Sequence, residues 1–210
     1  MKRTLALTVF VAAAVAAVAT AATSTLTLTA NPTTVTYGKT TVLTGQLTPA
    51  QANQNIAIQA AVCPTNTTFK RSTSVKTAST GAFTATVTPT AMTTYKATLH
   101  QTESPAVVVK VKPVVALKRV ARGSYSVSVT AAASLVGKSL TIQRYSTLRH
   151  RWLRVKKVAL ATMTNGTKPT VITSATFKSK LKRRTRVRAL LPLAQAQPCY
   201  VGATSNTVRA

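Results

Sequence analysis

The chain has 210 residues and carries 28 Lys and Arg against a single acid, Glu103, with no aspartate and two histidines, a formal net charge of +27 at pH 7. Paired-carboxylate hydrolysis, an Asp-supported serine triad and a calcium site each need more carboxylates than these. So large an excess of positive charge bears on solubility and anionic partners, not on fold.

Met1-Lys2-Arg3 opens the chain, an apolar run covers residues 5–18, and Ala19-Thr20-Ala21 offers an A-x-A cleavage site. That layout predicts a signal peptide over residues 1–22. A membrane anchor would need about 20 apolar residues; this run has 14 and is largely alanine. No later run is long enough to span a bilayer, because Leu190-Leu191-Pro192-Leu193 is short and broken by proline. The expected product is therefore secreted or extracellular, with no transmembrane segment after leader removal.

Leu26-Thr27-Leu28-Thr29 alternates at period two, and Asn31-Pro32 marks a turn. Tyr37-Gly38-Lys39 leads into Leu43, Gly45 and Leu47, three positions on one face of the next strand. After a loop over residues 48–54, Ile56 and Ile58 carry a strand that ends near Cys63-Pro64. Phe83, Ala85 and Val87 alternate with threonines until Pro89. Tyr95, Ala97 and Leu99 form another strand, and residues 107–111 the last. β-branched residues dominate and no period of 3.6 survives, so the reading is all-β: short strands about ten residues apart, a β-sandwich.

Lys112-Pro113 is the predicted boundary, after which the pattern restarts. Tyr125, Val127 and Val129 take up the alternation of Leu43, Gly45 and Leu47. Ser139-Leu140-Thr141-Ile142-Gln143 repeats Asn55-Ile56-Ala57-Ile58-Gln59 at a distance of 84 residues. Gly137-Lys138 precedes the second copy as Asn53-Gln54 precedes the first, and Gly and Asn are the residues that best tolerate a left-handed turn. Asn165-Gly166, a strong hairpin signal, lies between strands predicted at 155–162 and 171–177. Val187-Arg188-Ala189-Leu190 corresponds to Tyr95-Lys96-Ala97-Thr98, and Ser205-Asn206-Thr207-Val208 to Ser104-Pro105-Ala106-Val107. The offset grows from 84 to 92 to 101, as loop insertions into a duplicated framework would produce. The predicted organisation is thus a signal peptide (1–22), one sandwich domain over 23–112 and a strongly basic one over 113–210.

The turn before Gly38, the Gly81-Ala82-Phe83-Thr84 strand start, the Thr93-Thr94-Tyr95-Lys96-Ala97 strand and the Trp152-x-x-Val155 pattern resemble the bacterial immunoglobulin-like domains found in tandem in secreted and cell-surface proteins. The resemblance implies two tandem Ig-like antiparallel β-sandwich domains and an extracellular spacer or binding module with no catalytic residues to carry over. Tyr95 resembles a tyrosine-corner residue, whose hydroxyl bonds back to the backbone; Val187 stands there in the second copy. The bacterial resemblance implies that the sequons at Asn66 and Asn165 are incidental.

General acid–base work would fall to Glu103, His100 and His150 alone, and no G-x-S-x-G elbow occurs. A zinc site would have to gather Cys63, Cys199, His100 and His150 from both halves. No enzyme, metal site or cofactor is expected. Cys63 and Cys199, one in each half, are compatible with a bridge in an oxidising compartment or with two free thiols.

The charge is uneven: residues 23–112 hold seven basic residues and Glu103, residues 113–210 nineteen basic residues and no acid. Two tracts stand out. The first contains Arg149, Arg151, Arg154, Lys156 and Lys157. The second contains Lys180, Lys182, Arg183, Arg184, Arg186 and Arg188. If Val187 and Ala189 point inward, Arg184, Arg186 and Arg188 line the outer face at about 7 Å intervals, a row suited to phosphates or carboxylates of a polymer. A merely solvating face is the plainer alternative, although ordinary surfaces mix both signs. Trp152 could stack on a sugar or base, but a lone Trp in a sandwich strand is more often core, and core is expected. The function expected is a non-catalytic structural or adhesive module contacting an anionic cell-envelope polymer or other polyanion; a nucleic-acid-binding protein is the alternative.

Overall fold

The structure, a computed structural model, describes residues 23–65 and 67–210. The expected signal peptide and the sequon asparagine Asn66 lie outside the described residues. The N-terminal half contains Thr25–Leu26 (β1), Thr29–Asn31 (β2), Thr34–Thr36 (β3), Thr41–Thr48 (β4), Asn55–Val62 (β5), Lys70–Lys76 (β6), Ala82–Val87 (β7), Thr93–Leu99 (β8), Thr102–Glu103 (β9) and Val107–Lys112 (β10). One sheet places β1, β2 and β7 against β4; the other runs β3–β10–β8–β5–β6, with β9 against β8.

The C-terminal half contains Val114–Ala121 (β11), Ser124–Ala131 (β12), Ser139–Ser146 (β13), Arg151–Ala159 (β14), Thr162–Asn165 (β15), Val171–Lys178 (β16), Arg186–Leu191 (β17), a single helical turn Leu193–Ala196 (α1), Ala203–Thr204 (β18) and Val208–Arg209 (β19). Its sheets are β11–β12–β16–β15 and β14–β13–β17, with β18 and β19 along the far edge of β17. The fold is all-β and immunoglobulin-like, with mainly antiparallel sheets packed over apolar inner faces.

The period-two pattern explains which faces meet. Leu43, Ile56, Ile58, Val109 and Val111 are fully buried in the first half, and Leu117, Val127, Leu140, Ile142, Val187 and Leu191 in the second. Leu26 and Leu28 are buried too, and β1 and β2 keep one register along β4, from Thr25↔Thr48 to Asn31↔Val42. At the Asn31-Pro32 turn the chain leaves that sheet, and β3 runs parallel to β10. Gly45 sits opposite Phe83, where a Cβ would collide with the Phe83 ring and the Thr27 carbonyl.

The repeated strands β5 and β13 occupy matching positions in detail. Ile58 pairs with Ala97 and Ile142 with Ala189. Each strand carries a β-bulge at the same place, between Ile58 and Gln59 and between Ile142 and Gln143. Asn53 and Gly137, each just before its strand, have positive φ, +60° and +81°. Ser104 and Ser205 make the same hydrogen bonds: each backbone N–H donates to the carbonyl of Ala97 or Ala189, and each hydroxyl accepts from that alanine's N–H at 2.9 and 2.8 Å.

Three elements differ from the sequence reading. β6 has no sequence signal, because Lys70–Lys76 holds one apolar residue, Val75, and pairs only at the sheet edge. β11, which buries Val115 and Leu117, opens the second half before the strand at Tyr125. The 155–162 strand divides: β14 ends at Ala159, the chain crosses at the buried Leu160, and β15 joins the opposite sheet. Asn165 then pairs with Val171, so the hairpin loop is residues 166–170 and Asn165 belongs to the strand rather than to a tight Asn-Gly turn.

Candidate functional site

Pro113 alone separates β10 from β11, and the two halves meet around it. The Met92 N–H donates to the Cys199 carbonyl at 2.9 Å, the Val201 N–H to the Val111 carbonyl at 3.0 Å, and the Tyr37 hydroxyl lies 3.2 Å from the Thr170 hydroxyl. Cys63 and Cys199 are joined by a disulfide across this junction. The strands of the second half therefore point their opposite ends away from the first half. Three connections gather at that far pole: residues 122–123 between β11 and β12, 147–150 between β13 and β14, and 179–185 between β16 and β17.

Both basic tracts arrive there. Arg149 from the β13–β14 turn faces Lys182, Arg183, Arg184 and Arg186 across an open depression of about 680 Å³ that Arg144 and Tyr145 also line. A second depression of about 640 Å³, lined by Arg122, Lys178, Lys180 and Lys182, adjoins it through Lys182. The Gly123 carbonyl accepts the Ser179 N–H at 2.9 Å and ties the two connections together. The only carboxylate side chain of the chain is elsewhere: Glu103 is 3.1 Å from the Lys96 ammonium in the first half. Like charges gathered in this way create a positive field that no neighbouring side chain cancels.

Arg184 does not stand in the expected row. Its φ is +62°, its N–H donates to the Ala210 carbonyl, and β17 begins only at Arg186. The chain is still turning at Arg184, so the strand aligns two guanidinium groups rather than three. Arg186 and Arg188 share the outer face, because Val187 and Ala189 are buried.

Trp152 is not core. Even-numbered residues Val158 and Lys156 lie opposite the buried Leu140 and Ile142, which would carry Trp152 inward as well. The bulge at Ile142/Gln143 reverses the alternation, so that Arg154 opposes Gln143 and Trp152 opposes Tyr145 on the outer face. There Trp152 is half-buried, and the guanidinium of Arg188 lies over its ring at 4.1 Å. Arg186 lies over Tyr145 at 4.3 Å, and the two rings meet edge to face at 5.4 Å. The result is a ladder across β17, β13 and β14 in which aromatic faces hold arginines. Arg188 Nε also donates to Gln143 Oε1 at 2.8 Å, and partial desolvation pushes its pKa below the ordinary arginine value.

The remaining tract residues divide. Arg154 shares the outer face, and Lys157 lies opposite Thr141. Lys156 instead turns to the open edge between the sheets, with its ammonium 5.7 Å from the Phe177 ring centroid and donating to the Lys178 carbonyl at 3.4 Å. Arg151 is exposed opposite Ser146 at the start of β14. The structure thus brings Arg149, Lys182, Arg183, Arg184 and Arg186 to one depression, with Lys180 in the adjoining one, and leaves Lys156 apart. Lys178, which opens the second tract, lines the adjoining depression as well, and Arg122 and Arg144 belong to the same pole although they lie outside both tracts; isolated charges carry no run for a sequence to display.

Tyr95 is 3% exposed, and burial pushes its pKa up to about 12. The neighbour that opposes this shift is the Thr93 side chain, where a tyrosine corner would place a backbone group. A tyrosine–backbone hydrogen bond occurs at Tyr200, whose hydroxyl accepts the Ala132 N–H at 3.1 Å and whose pKa is also raised by burial. Among the described residues no cluster of three or more His, Cys, Asp and Glu is placed to hold a metal ion.

No family model matches the chain, and no curated protein matches it. Among solved structures, a marsupial T cell receptor is similar at 8% identity and a TM-score of 0.29, over 88% of this chain and 99% of that chain.

Proposed function

We propose that this chain is a secreted, non-catalytic adhesive or structural module of the bacterial tandem Ig-like kind, with a signal peptide over residues 1–22 and domains over 23–112 and 113–210. The second domain holds an anionic cell-envelope polymer or similar polyanion at its far pole. The observation that carries this reading is the convergence of two basic tracts, distant in sequence, on one pole of a half that contains no acidic side chain. A face charged only for solubility would have no reason to concentrate there. Arginine dominates the first depression, and its planar fork suits bidentate contact with phosphate or carboxylate.

The alternative, nucleic-acid binding, draws on the aromatic residues beside these arginines. Base stacking needs an open ring face, and guanidinium groups already lie over Trp152 and Tyr145. Retention of the full chain on purified cell wall, heparin and DNA tests the choice. Tight retention on wall and heparin with steep salt dependence is expected. Retention on DNA alone would favour the alternative, and retention on none of the three would overturn the reading.

A further inference from the structure

The two most exposed large apolar side chains among the described residues are Leu148, 90% exposed, and Val120, 65% exposed. Both stand at the basic pole. Leu148 lies within the β13–β14 turn, beside Arg149. Val120 is the unpaired residue of a bulge in β11, where the register shifts between Arg119 and Ala121, so nothing on β12 covers it. Two apolar tips on separate hairpins, ringed by cations with no acid among them, make a pattern that a soluble polyanion does not require. A polymer of phosphates would use the ring and leave the tips in water.

We propose that this pole docks onto an anionic lipid bilayer, with Leu148 and Val120 entering the boundary between headgroups and acyl chains while Arg149, Lys182 and Arg183 meet the lipid phosphates. An exposed apolar residue gains by leaving water for that boundary, and each basic residue near an anionic surface adds attraction. The two contributions share one pole, because Leu148 stands on the turn that carries Arg149 and Val120 lies between Arg119 and Arg122 at the end of β11. This inference rests on the reading of the pole as an anion-binding surface, and it narrows the partner from polyanions in general to a lipid surface.

Sedimentation of the full, oxidised chain with vesicles tests it. Binding is expected to vesicles of phosphatidylcholine mixed with phosphatidylglycerol and not to phosphatidylcholine alone. Leu148→Ser should weaken the vesicle binding about tenfold and Val120→Ser by a smaller factor, with unchanged retention on heparin. Removing two charges beside Lys182 with Arg183→Gln and Arg184→Gln should weaken both. Retention on heparin without vesicle binding, or vesicle binding indifferent to Leu148→Ser, would overturn the lipid proposal and leave the polymer reading standing. Loss of heparin and vesicle binding alike in the unaltered chain would overturn both. Leu148 packs little of its surface against the fold, so an unchanged thermal midpoint is expected to show that Leu148→Ser acts at the membrane.

Discussion

Trp152 illustrates how a single backbone irregularity assigns a side chain its role. A lone Trp in a sandwich strand reads as core, yet the bulge beside Ile142 turns it outward to receive Arg188. Truncating a core tryptophan costs about 3–5 kcal/mol. For Trp152→Ala we expect about 1–2 kcal/mol, from a partly exposed ring and one cation–π contact, read from the urea midpoint. Tyr95 supplies a second test at this scale. The fold favours its neutral form, so the stability it contributes is fully present below pH 10.0 and is lost as pH rises toward about 12. Tyr200 shifts in the same direction. Over that range the unfolding midpoint should fall, and Tyr95→Phe should fall less steeply than the parent chain; equal slopes would show that burial of Tyr95 is not linked to the alkaline transition.

Among the elements, alternation and offset make much of the architecture legible in the sequence. The match of Tyr95-Lys96-Ala97-Thr98 with Val187-Arg188-Ala189-Leu190 appears in the structure as the pairs Ile58↔Ala97 and Ile142↔Ala189. The match of Ser104 with Ser205 appears as one hydrogen-bonding device used twice. What period two cannot show is where the period breaks. The bulges in β5 and β13 belong to their pairing with β6 and β14, the crossing at Leu160 is held by its N–H to the Lys138 carbonyl and the left-handed Arg184 by its N–H to the Ala210 carbonyl, partners that alternation within one strand does not register. β6 escaped for another reason, since an edge strand whose one inward apolar residue, Val75, is only partly buried shows no apolar alternation. Because Ser104 is buried and Ser205 is more open, Ser104→Ala should destabilise by about 1–3 kcal/mol and Ser205→Ala by less. Equal, negligible effects in a denaturant series would remove the serines from the framework.

For the molecule as a whole, the charge asymmetry was plain in the sequence, whereas its convergence on one pole was not. The two tracts lie on different hairpins, and only the β13–β14 and β16–β17 connections bring Arg149 against Lys182, Arg183 and Arg184. At the opposite end the disulfide and the hydrogen bonds of Met92, Val111 and Tyr37 tie that half to the first, leaving the basic pole free. The salt dependence of heparin binding by the full chain tests this arrangement most directly. Each lost phosphate-like contact should lower the slope of log K against log salt by about 0.7–0.9. Arg183→Gln, Arg184→Gln and Arg186→Gln together are expected to reduce it by about 2–3, while Lys70→Gln, Arg71→Gln and Lys76→Gln on β6 leave it unchanged. Equal reductions from the two triple variants would contradict a binding pole and return the charge to plain solvation.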